Sequence, residues 1–117
     1  MQNYKDLKVW EKAHLFTLKV YEETKFFPKE ELYSLTNQLR RAAASIPANI
    51  AEGCGKNGKP EFAHYLNIAL GSSNESEYLL ILCKDLKYLA AEKFEILHLL
   101  VNEVKGMLIS LIRKVRA

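Results

Sequence analysis

Residues 38–53 read QLRRAAASIPANIAEG and place Pro47 in the middle of what is otherwise one amphipathic helix. A proline has no N–H for the carbonyl four residues earlier, here that of Ala43, and in an isolated helix this costs about 3 kcal/mol. The apolar pattern nevertheless continues at spacings of three and four on both sides of the proline, through Leu32, Leu35, Leu39, Ala42, Ile46 and Ile50. We therefore predict that the helix bends at Pro47 and continues, and that its surroundings compensate for the missing bond.

Outside this stretch the apolar spacing predicts three further helices and no strand. The first helix is predicted over residues 6–25, the second over 29–54 and the third from Pro60, after the glycine-rich break that follows Gly53. The fourth carries apolar residues at alternating spacings of three and four from Phe94 to Val115. Short connections between long helices favour antiparallel neighbours. The predicted fold is an all-α, antiparallel up-and-down four-helix bundle with a kinked second helix, in a single domain over residues 1–117.

Two segments of the chain resemble a known family. LRRAAASIPANIAEG at residues 39–53 and FAHYLNIALGSSNESEYLL at residues 62–80 are similar to the four-helix-bundle proteins encoded in 23S rRNA intervening sequences. The resemblance begins at YKDLKVWEKAH, residues 4–14, and weakens in the last helix. That family includes the accessory proteins of diversity-generating retroelements. It implies a four-helix protomer, a homopentameric ring, no known enzymatic activity, and nucleic-acid binding by at least some members.

The composition permits nucleic-acid binding without requiring it. The 117 residues include 17 Lys and Arg against 14 Asp and Glu, which gives a net charge of +3. Two cysteines outside any CxxC pair and an N-terminus without an apolar signal region favour a reduced, cytoplasmic protein. The longest apolar stretch is interrupted by Asn102, Glu103 and Lys105 and is too short to span a membrane. The first and last helices are apolar on more faces than one bundle core covers, which predicts a homo-oligomer.

The loop after the second helix matches two nucleotide-binding patterns by letter. Residues 53–59, GCGKNGK, satisfy both G-x-G-x-x-G and G-x-x-x-x-G-K. Such glycines act after a β-strand, whereas these follow a helix, and Pro60 stands where a P-loop needs a hydroxyl for magnesium. We interpret the glycines as a helix stop and a turn. Lys56 and Lys59 nevertheless place positive charge on this loop.

All three histidines occur in Glu-x-x-His pairs, which are the ligand motif of di-iron four-helix bundles: Glu11 with His14, Glu61 with His64, and Glu95 with His98. In an up-and-down bundle, however, His64 and His98 would lie about 28 Å apart along the axis. A shared metal is therefore excluded, and no metal or other cofactor is predicted. A small metalloenzyme stays open only as a third hypothesis.

Arg40 and Arg41 lie within one turn of the expected level of Glu75 and Glu77 on the third helix. Because neighbouring helical positions point about 100° apart, we predict an interhelical ion pair for one arginine and a free guanidinium for the other. Asn49 and Glu52 follow the bend and are predicted to join Glu75 and Glu77 in a structural polar network. No nucleophile, base and orienting group occur together at a workable spacing.

The function that the sequence favours is that of a non-enzymatic, homopentameric protein that binds RNA or duplex nucleic acid through phosphate contacts. An oligomeric scaffold for a partner protein such as a reverse transcriptase is the alternative. The residues predicted to contact phosphates are Arg40, Arg41, Lys56, Lys59, Arg113, Lys114 and Arg116. Pro47 is expected to act through shape, so Pro47→Ala should straighten the helix and disturb assembly.

Overall fold

The structure is a computed structural model that describes residues 2–117. Four α-helices make up most of it. They are α1 (Lys8–Thr24), α2 (Leu35–Cys54), α3 (Lys59–Asp85) and α4 (Ala91–Arg116), with short 3-10 helices at Tyr4–Asp6 and Lys29–Glu31. No β-strand occurs in this part of the chain. The predicted all-α four-helix bundle is confirmed.

The helices are antiparallel neighbours around a square. Each helix packs closely on two others, and within residues 2–117 the backbones of the diagonal pairs α1 with α3 and α2 with α4 have no Cα atoms within 8 Å of each other. The ion pairs Lys12–Glu103 and Glu23–Lys93 show that α1 and α4 run in opposite directions. The contact between α2 and α3 is the most extensive, and that between α1 and α4 is the least. The seam between α1 and α4 is therefore the most open side of the bundle.

Small residues line the middle of the inward face of α3. Ala69, Ser73 and Ser76 are fully buried. The Ser73 hydroxyl donates to the carbonyl of Ala69 at 2.9 Å, and the Ser76 hydroxyl donates to that of Ser72 at 2.8 Å. Because both hydroxyls are satisfied within α3, the neighbouring helices can pack closely against this helix without leaving either serine hydroxyl unpaired.

The second helix begins at Leu35, so the predicted start near residue 29 is wrong. Residues Lys29–Glu31 form a separate 3-10 turn instead. The Glu31 carboxylate accepts from the backbone N–H of Leu35 at 3.4 Å and from the Tyr88 hydroxyl at 3.0 Å. Glu31 thus accepts from the N–H of the first residue of α2 and connects this end of the bundle to the loop between α3 and α4.

Pro47 lies inside α2 and is buried, and its missing hydrogen bond is replaced from α1. The hydroxyl of Thr17 lies 3.1 Å from the carbonyl oxygen of Ala43 and 2.9 Å from that of Ala13. The carbonyl of Ala13 already has a helical partner in the N–H of Thr17, whereas that of Ala43 lacks one because residue 47 is proline. Thr17 is therefore the compensating group that the sequence required. The predicted bend stays a prediction.

Both cysteines are free and buried. Burial raises the pKa of the Cys83 thiol to about 12, and it also raises that of Cys54. The two thiols are therefore uncharged and packed in the bundle near neutral pH. Among the described helices, none combines the length and the apolar character needed to cross a membrane.

Candidate nucleic-acid interface

The antiparallel topology brings four of the predicted phosphate contacts together at one end of the bundle, where α2 ends, α3 begins and α4 ends. Lys59 and Arg116, which are distant in sequence, line one surface cavity of about 400 Å³ together with Pro60 and Val115. Lys56 and Lys59 line a second, smaller cavity of about 200 Å³. Arg113 is exposed on the last turn of α4. We call Lys56, Lys59, Arg113 and Arg116 the basic end.

The four charges of the basic end are not equally available. Lys56 pairs with Glu52 at 3.2 Å and lies over the Tyr65 ring, 5.4 Å from its centroid. The hydrogen bond to the Glu52 carboxylate raises the pKa of Lys56. Within the described chain, Lys59, Arg113 and Arg116 form no ion pair shorter than 4.0 Å. These three side chains carry most of the free positive charge.

Lys114 lies apart from the basic end, on the side of α4 that faces α1. It lines a groove that also includes Lys8 and Val9 of α1 and Met107 of α4. The C-terminal cluster predicted from charge is thus divided between two surfaces. All three of its cations are also in the last turn of α4, where positive charge offsets the negative end of the helix dipole.

Arg40 points toward α1, not toward the glutamates of α3. Its Nε donates to the hydroxyl of Thr24 at 2.8 Å, and its guanidinium carbon lies 4.8 Å from the centroid of the Tyr21 ring. The Thr24 hydroxyl can accept this bond because it donates its own proton to the carbonyl of Val20, 2.7 Å away. Arg40 therefore joins α1 to α2, a role that spacing along α2 did not reveal.

Arg41 is exposed and lines a polar groove between α2 and α3, with a volume of about 430 Å³. Glu75 lines the same groove, but its carboxylate accepts from the Gln38 amide at 3.5 Å. Neither Arg40 nor Arg41 forms an ion pair within residues 2–117, so the predicted bond to Glu75 or Glu77 is wrong. The reason is the rotation of α2, which turns Arg40 to α1 and leaves glutamine closest to Glu75.

Glu77 instead bridges to α4. Its two carboxylate oxygens lie 2.7 Å from Lys105 Nζ and 2.9 Å from His98 Nε2. The His98 ring stacks on Phe94, with centroids 5.0 Å apart, and Asn102 lies within hydrogen-bonding distance of the imidazole. The hydrogen bond from Lys105, aided by that from His98, lowers the pKa of Glu77. Periodicity did not identify this cluster because the partners lie on different helices.

Glu77→Gln should reduce the free energy of unfolding by about 1 kcal/mol at neutral pH, since it removes a charged acceptor. The pKa of Glu77 is lower in the folded protein than its ordinary value of 4.5. The stabilisation is therefore complete above that value and is lost as the pH falls toward the folded pKa. Urea denaturation at pH 7 and at pH 3 should show a difference between wild type and variant that shrinks on acidification.

The exposed Glu95 provides the matched control, because Glu95→Gln changes the same chemical group outside the cluster. Its effect on stability should be small and nearly independent of pH. A Glu77→Gln difference that stays constant from pH 7 to pH 3 would contradict the role assigned to the Glu77 carboxylate.

The four residues of the predicted structural network do not contact one another as one cluster. Asn49 donates to the carbonyl and hydroxyl oxygens of Ser45, and Ser45 in turn bonds to Ser72 at 2.9 Å. Glu52 pairs with Lys56 in its own helix. Glu75 bonds to Gln38, and Glu77 bonds to α4. Each polar group therefore has a local partner, and the single network is wrong because these residues lie on differently oriented faces.

The remaining two motifs have structural surroundings that explain them. Gly58 has a φ of 88° at the start of α3, a left-handed conformation that glycine adopts without strain, and this supports the interpretation as a turn. His14 stacks on Trp10, with centroids 5.0 Å apart, and His64 packs edge-on against Tyr65. His98 bonds to Glu77. Among residues 2–117, no group of three His, Cys, Asp or Glu side chains is placed to hold a metal ion.

Comparisons with known proteins agree with this architecture. The family described as 23S rRNA-intervening sequence protein matches residues 5–110. The chain is also similar to a crystal structure of a protein of unknown function from the S23 ribosomal protein family of Bacteroides thetaiotaomicron. The two are 32% identical, the alignment covers 90% of this chain and 95% of the other, and the TM-score is 0.83. Among curated proteins, no sequence matches the chain.

Proposed function

Because the chain belongs to the family of 23S rRNA-intervening sequence proteins, we propose that it is a non-enzymatic, cytoplasmic homopentamer that binds nucleic acid through phosphate contacts at its basic end. The observation that carries this proposal is the convergence of Lys59 and Arg116 on one cavity, with Arg113 nearby and without ion-pair partners among residues 2–117. Free cations held on one surface attract the phosphate backbone.

Oligomerisation supplies the charge that one protomer lacks. Each chain contributes +3, so five copies carry about +15 in total. In a ring with parallel protomer axes, the five basic ends lie on the same face. A surface of this kind binds duplex or structured RNA with little dependence on base sequence, and its affinity falls steeply with salt.

The free charge of each side chain ranks the contact residues within this proposal. Lys59, Arg113 and Arg116 form the core of the proposed surface, and Lys56 adds a charge partly neutralised by Glu52. Arg41, exposed on α2 and about 22 Å from Lys56 along the helix axis, is proposed as an outlying contact. Arg40 is engaged by Thr24 and Tyr21, so we leave it out of the proposed contacts.

Neutralising the basic end by Lys59→Gln, Arg113→Gln and Arg116→Gln should weaken binding of a duplex RNA at least tenfold in 50 mM salt. The slope of log affinity against log salt concentration should become less negative by about 1 for each phosphate that the protein no longer neutralises. Fluorescence anisotropy over a salt series measures both quantities. Glutamine is used because it keeps the helix end of α4 free of added negative charge.

The matched control replaces three exposed lysines at the opposite end of the bundle, Lys25, Lys29 and Lys87, with glutamine. The net charge changes equally in both variants, so only the position of the charge differs. An equal loss of affinity in the two variants would refute the basic end as the binding surface. A wild-type protein that fails to bind RNA or duplex DNA at 50 mM salt would refute the nucleic-acid proposal itself.

A second function, that of a scaffold for a partner protein, is favoured by the opposite end of the bundle. Phe26 is 82% exposed and Tyr33 is 91% exposed, and the partly exposed Leu32 and Leu86 lie at the same end. Exposed apolar side chains in two adjacent loops are typical of protein-binding surfaces. A reverse transcriptase encoded beside this chain would be the partner to test.

A further inference from the structure

A groove runs along the open seam between the start of α1 and the second half of α4. Its volume is about 530 Å³, and its walls are mainly apolar side chains, including Leu7, Met107 and Leu111. Gly106 and Ser110 also line the groove, and a Cβ added at Gly106 would meet no atom within 4 Å. The groove is therefore wide enough to admit further side chains.

A complementary stripe lies on the outward face of α1. Leu15 is 41% exposed and Leu18 is 53% exposed. Glu11 precedes them by one turn and Glu22 follows by one turn, and both glutamates are exposed. Spacings of four, three and four place all four side chains on one face of the helix. We call these residues the acidic-ended stripe.

The charges of the groove and of the stripe are opposite and unmatched within the protomer. Lys8 and Lys114 lie on the rim of the groove, whereas its one glutamate, Glu103, is already paired with Lys12 at 3.6 Å. Over residues 2–117, neither lysine of the rim and neither glutamate of the stripe forms an ion pair. The groove is thus apolar with positive rims, and the stripe is apolar with negative ends.

The two surfaces also agree in length. From Glu11 to Glu22 the stripe extends about 16 Å along its helix. Because Lys12 pairs with Glu103, Lys8 lies level with about residue 107 of α4. Lys8 and Lys114 are therefore about 10 Å apart along the bundle and about 9 Å apart across the α1–α4 seam, which gives a separation of about 14 Å. Each surface alone would leave apolar side chains in contact with water. Matching length, apolar character and opposite charge on one chain identify a second copy of the chain as the occupant.

We propose that the acidic-ended stripe of one protomer packs into the groove of the next, with Glu11 and Glu22 facing Lys8 and Lys114. This inference rests on the homo-oligomeric part of the proposed function. The contact joins two different surfaces, so each protomer uses both, and repetition closes a ring when the rotation between copies allows it. Lys114 is then an interface residue and does not belong to the nucleic-acid surface.

The contact is tested by reversing the charges on one of the two surfaces and then on both surfaces together. Lys8→Glu with Lys114→Glu, or separately Glu11→Lys with Glu22→Lys, should raise the concentration at which the oligomer half-dissociates at least tenfold. All four changes in one chain restore opposite charges across the contact and should return that concentration to within about threefold of wild type. Analytical ultracentrifugation measures it, and circular dichroism verifies that each variant is folded. Lys25→Glu with Lys29→Glu is the control and should leave assembly unchanged.

Each result decides the inference. An oligomeric wild type that both double variants leave intact would overturn the contact while leaving oligomerisation and nucleic-acid binding in place. Two weakened double variants without recovery in the quadruple variant would overturn the pairing of stripe with groove. A wild type that is monomeric at tens of micromolar would overturn both the contact and the homo-oligomer, and would leave the groove for a different protein.

Discussion

Replacing Thr17 with valine should lower the free energy of unfolding by about 1–3 kcal/mol, because the buried carbonyl of Ala43 then loses the hydroxyl donor that α1 provides. Valine matches threonine in shape, so the change removes the hydroxyl with little effect on packing volume. The carbonyl of Ala43, 3.1 Å from that hydroxyl, cannot recover a bond from Pro47. Chemical denaturation monitored by circular dichroism measures the loss.

The decisive comparison is a double-mutant cycle with Pro47→Ala. An alanine at position 47 supplies the N–H that the proline lacks, so the carbonyl of Ala43 regains its helical partner. Thr17→Val should therefore be less destabilising by about 1 kcal/mol or more in the Pro47→Ala background than in the wild type. All four proteins are compared at a concentration where their oligomeric states agree.

Thr24→Val is the control for this cycle, because Thr24 is also a buried threonine of α1 but bonds to Arg40 and its own helix. Its effect on stability should be the same with proline or alanine at position 47. Equal destabilisation by Thr17→Val in both backgrounds would show that the hydroxyl does not compensate for the proline.

Gly53→Ala should destabilise the protein by about 1–3 kcal/mol, the range typical of overpacked sites. A Cβ at this position would lie 2.9 Å from the Cβ of Tyr65 and 3.1 Å from Cδ1 of Phe62. The Tyr65 Cβ is fixed to the backbone of α3, so relief requires that α2 and α3 move apart. In an open helical position the same substitution would be favourable, because alanine has a higher helix propensity than glycine.

Gly71→Ala is the comparison for Gly53→Ala, because it should change the free energy of unfolding in the opposite direction. Gly71 lies inside α3, and an added Cβ would meet no atom within 4 Å. This substitution should therefore stabilise the protein by about 0.5–1 kcal/mol. Thermal or chemical denaturation of both variants tests the pair. A stabilising Gly53→Ala would contradict the close approach of α2 and α3 at this turn.

The two glycines show where sequence reasoning succeeds and where it ends. The run after α2 was correctly predicted to stop that helix, because glycine and proline affect the backbone locally. The close contact at Gly53 depends on the distance between two helix axes, which no local pattern contains. In the same way, the sequence required a compensating group for Pro47, and only the packing of α1 on α2 identified Thr17.

In the candidate site, too, some features were predictable from the sequence and others depended on the packing of the helices. Lys56, Lys59 and the C-terminal cations were predicted from charge, and topology placed most of them together because α3 begins where α4 ends. Arg40 and Arg41 were expected to meet Glu75 or Glu77, but Arg40 bonds to Thr24 and Glu77 bonds to Lys105. Spacing along the helices predicted the correct level of these residues in the bundle, because Arg41 and Glu75 line the same groove. The spacing did not predict how each helix is rotated about its axis, and this rotation decides which side chain each residue meets.

The sequence by itself determined the family, the four helices, and the need for a group that compensates for Pro47. These properties follow from local backbone preferences and from apolar periodicity, which are read within one segment at a time. Tertiary structure alone decided that Thr17 serves Ala43, that the C-terminal cations separate into the basic end and the groove rim, and which carboxylate each cation meets. Such choices depend on helix rotation and separation, which result from packing of the whole core and are not encoded at any single position.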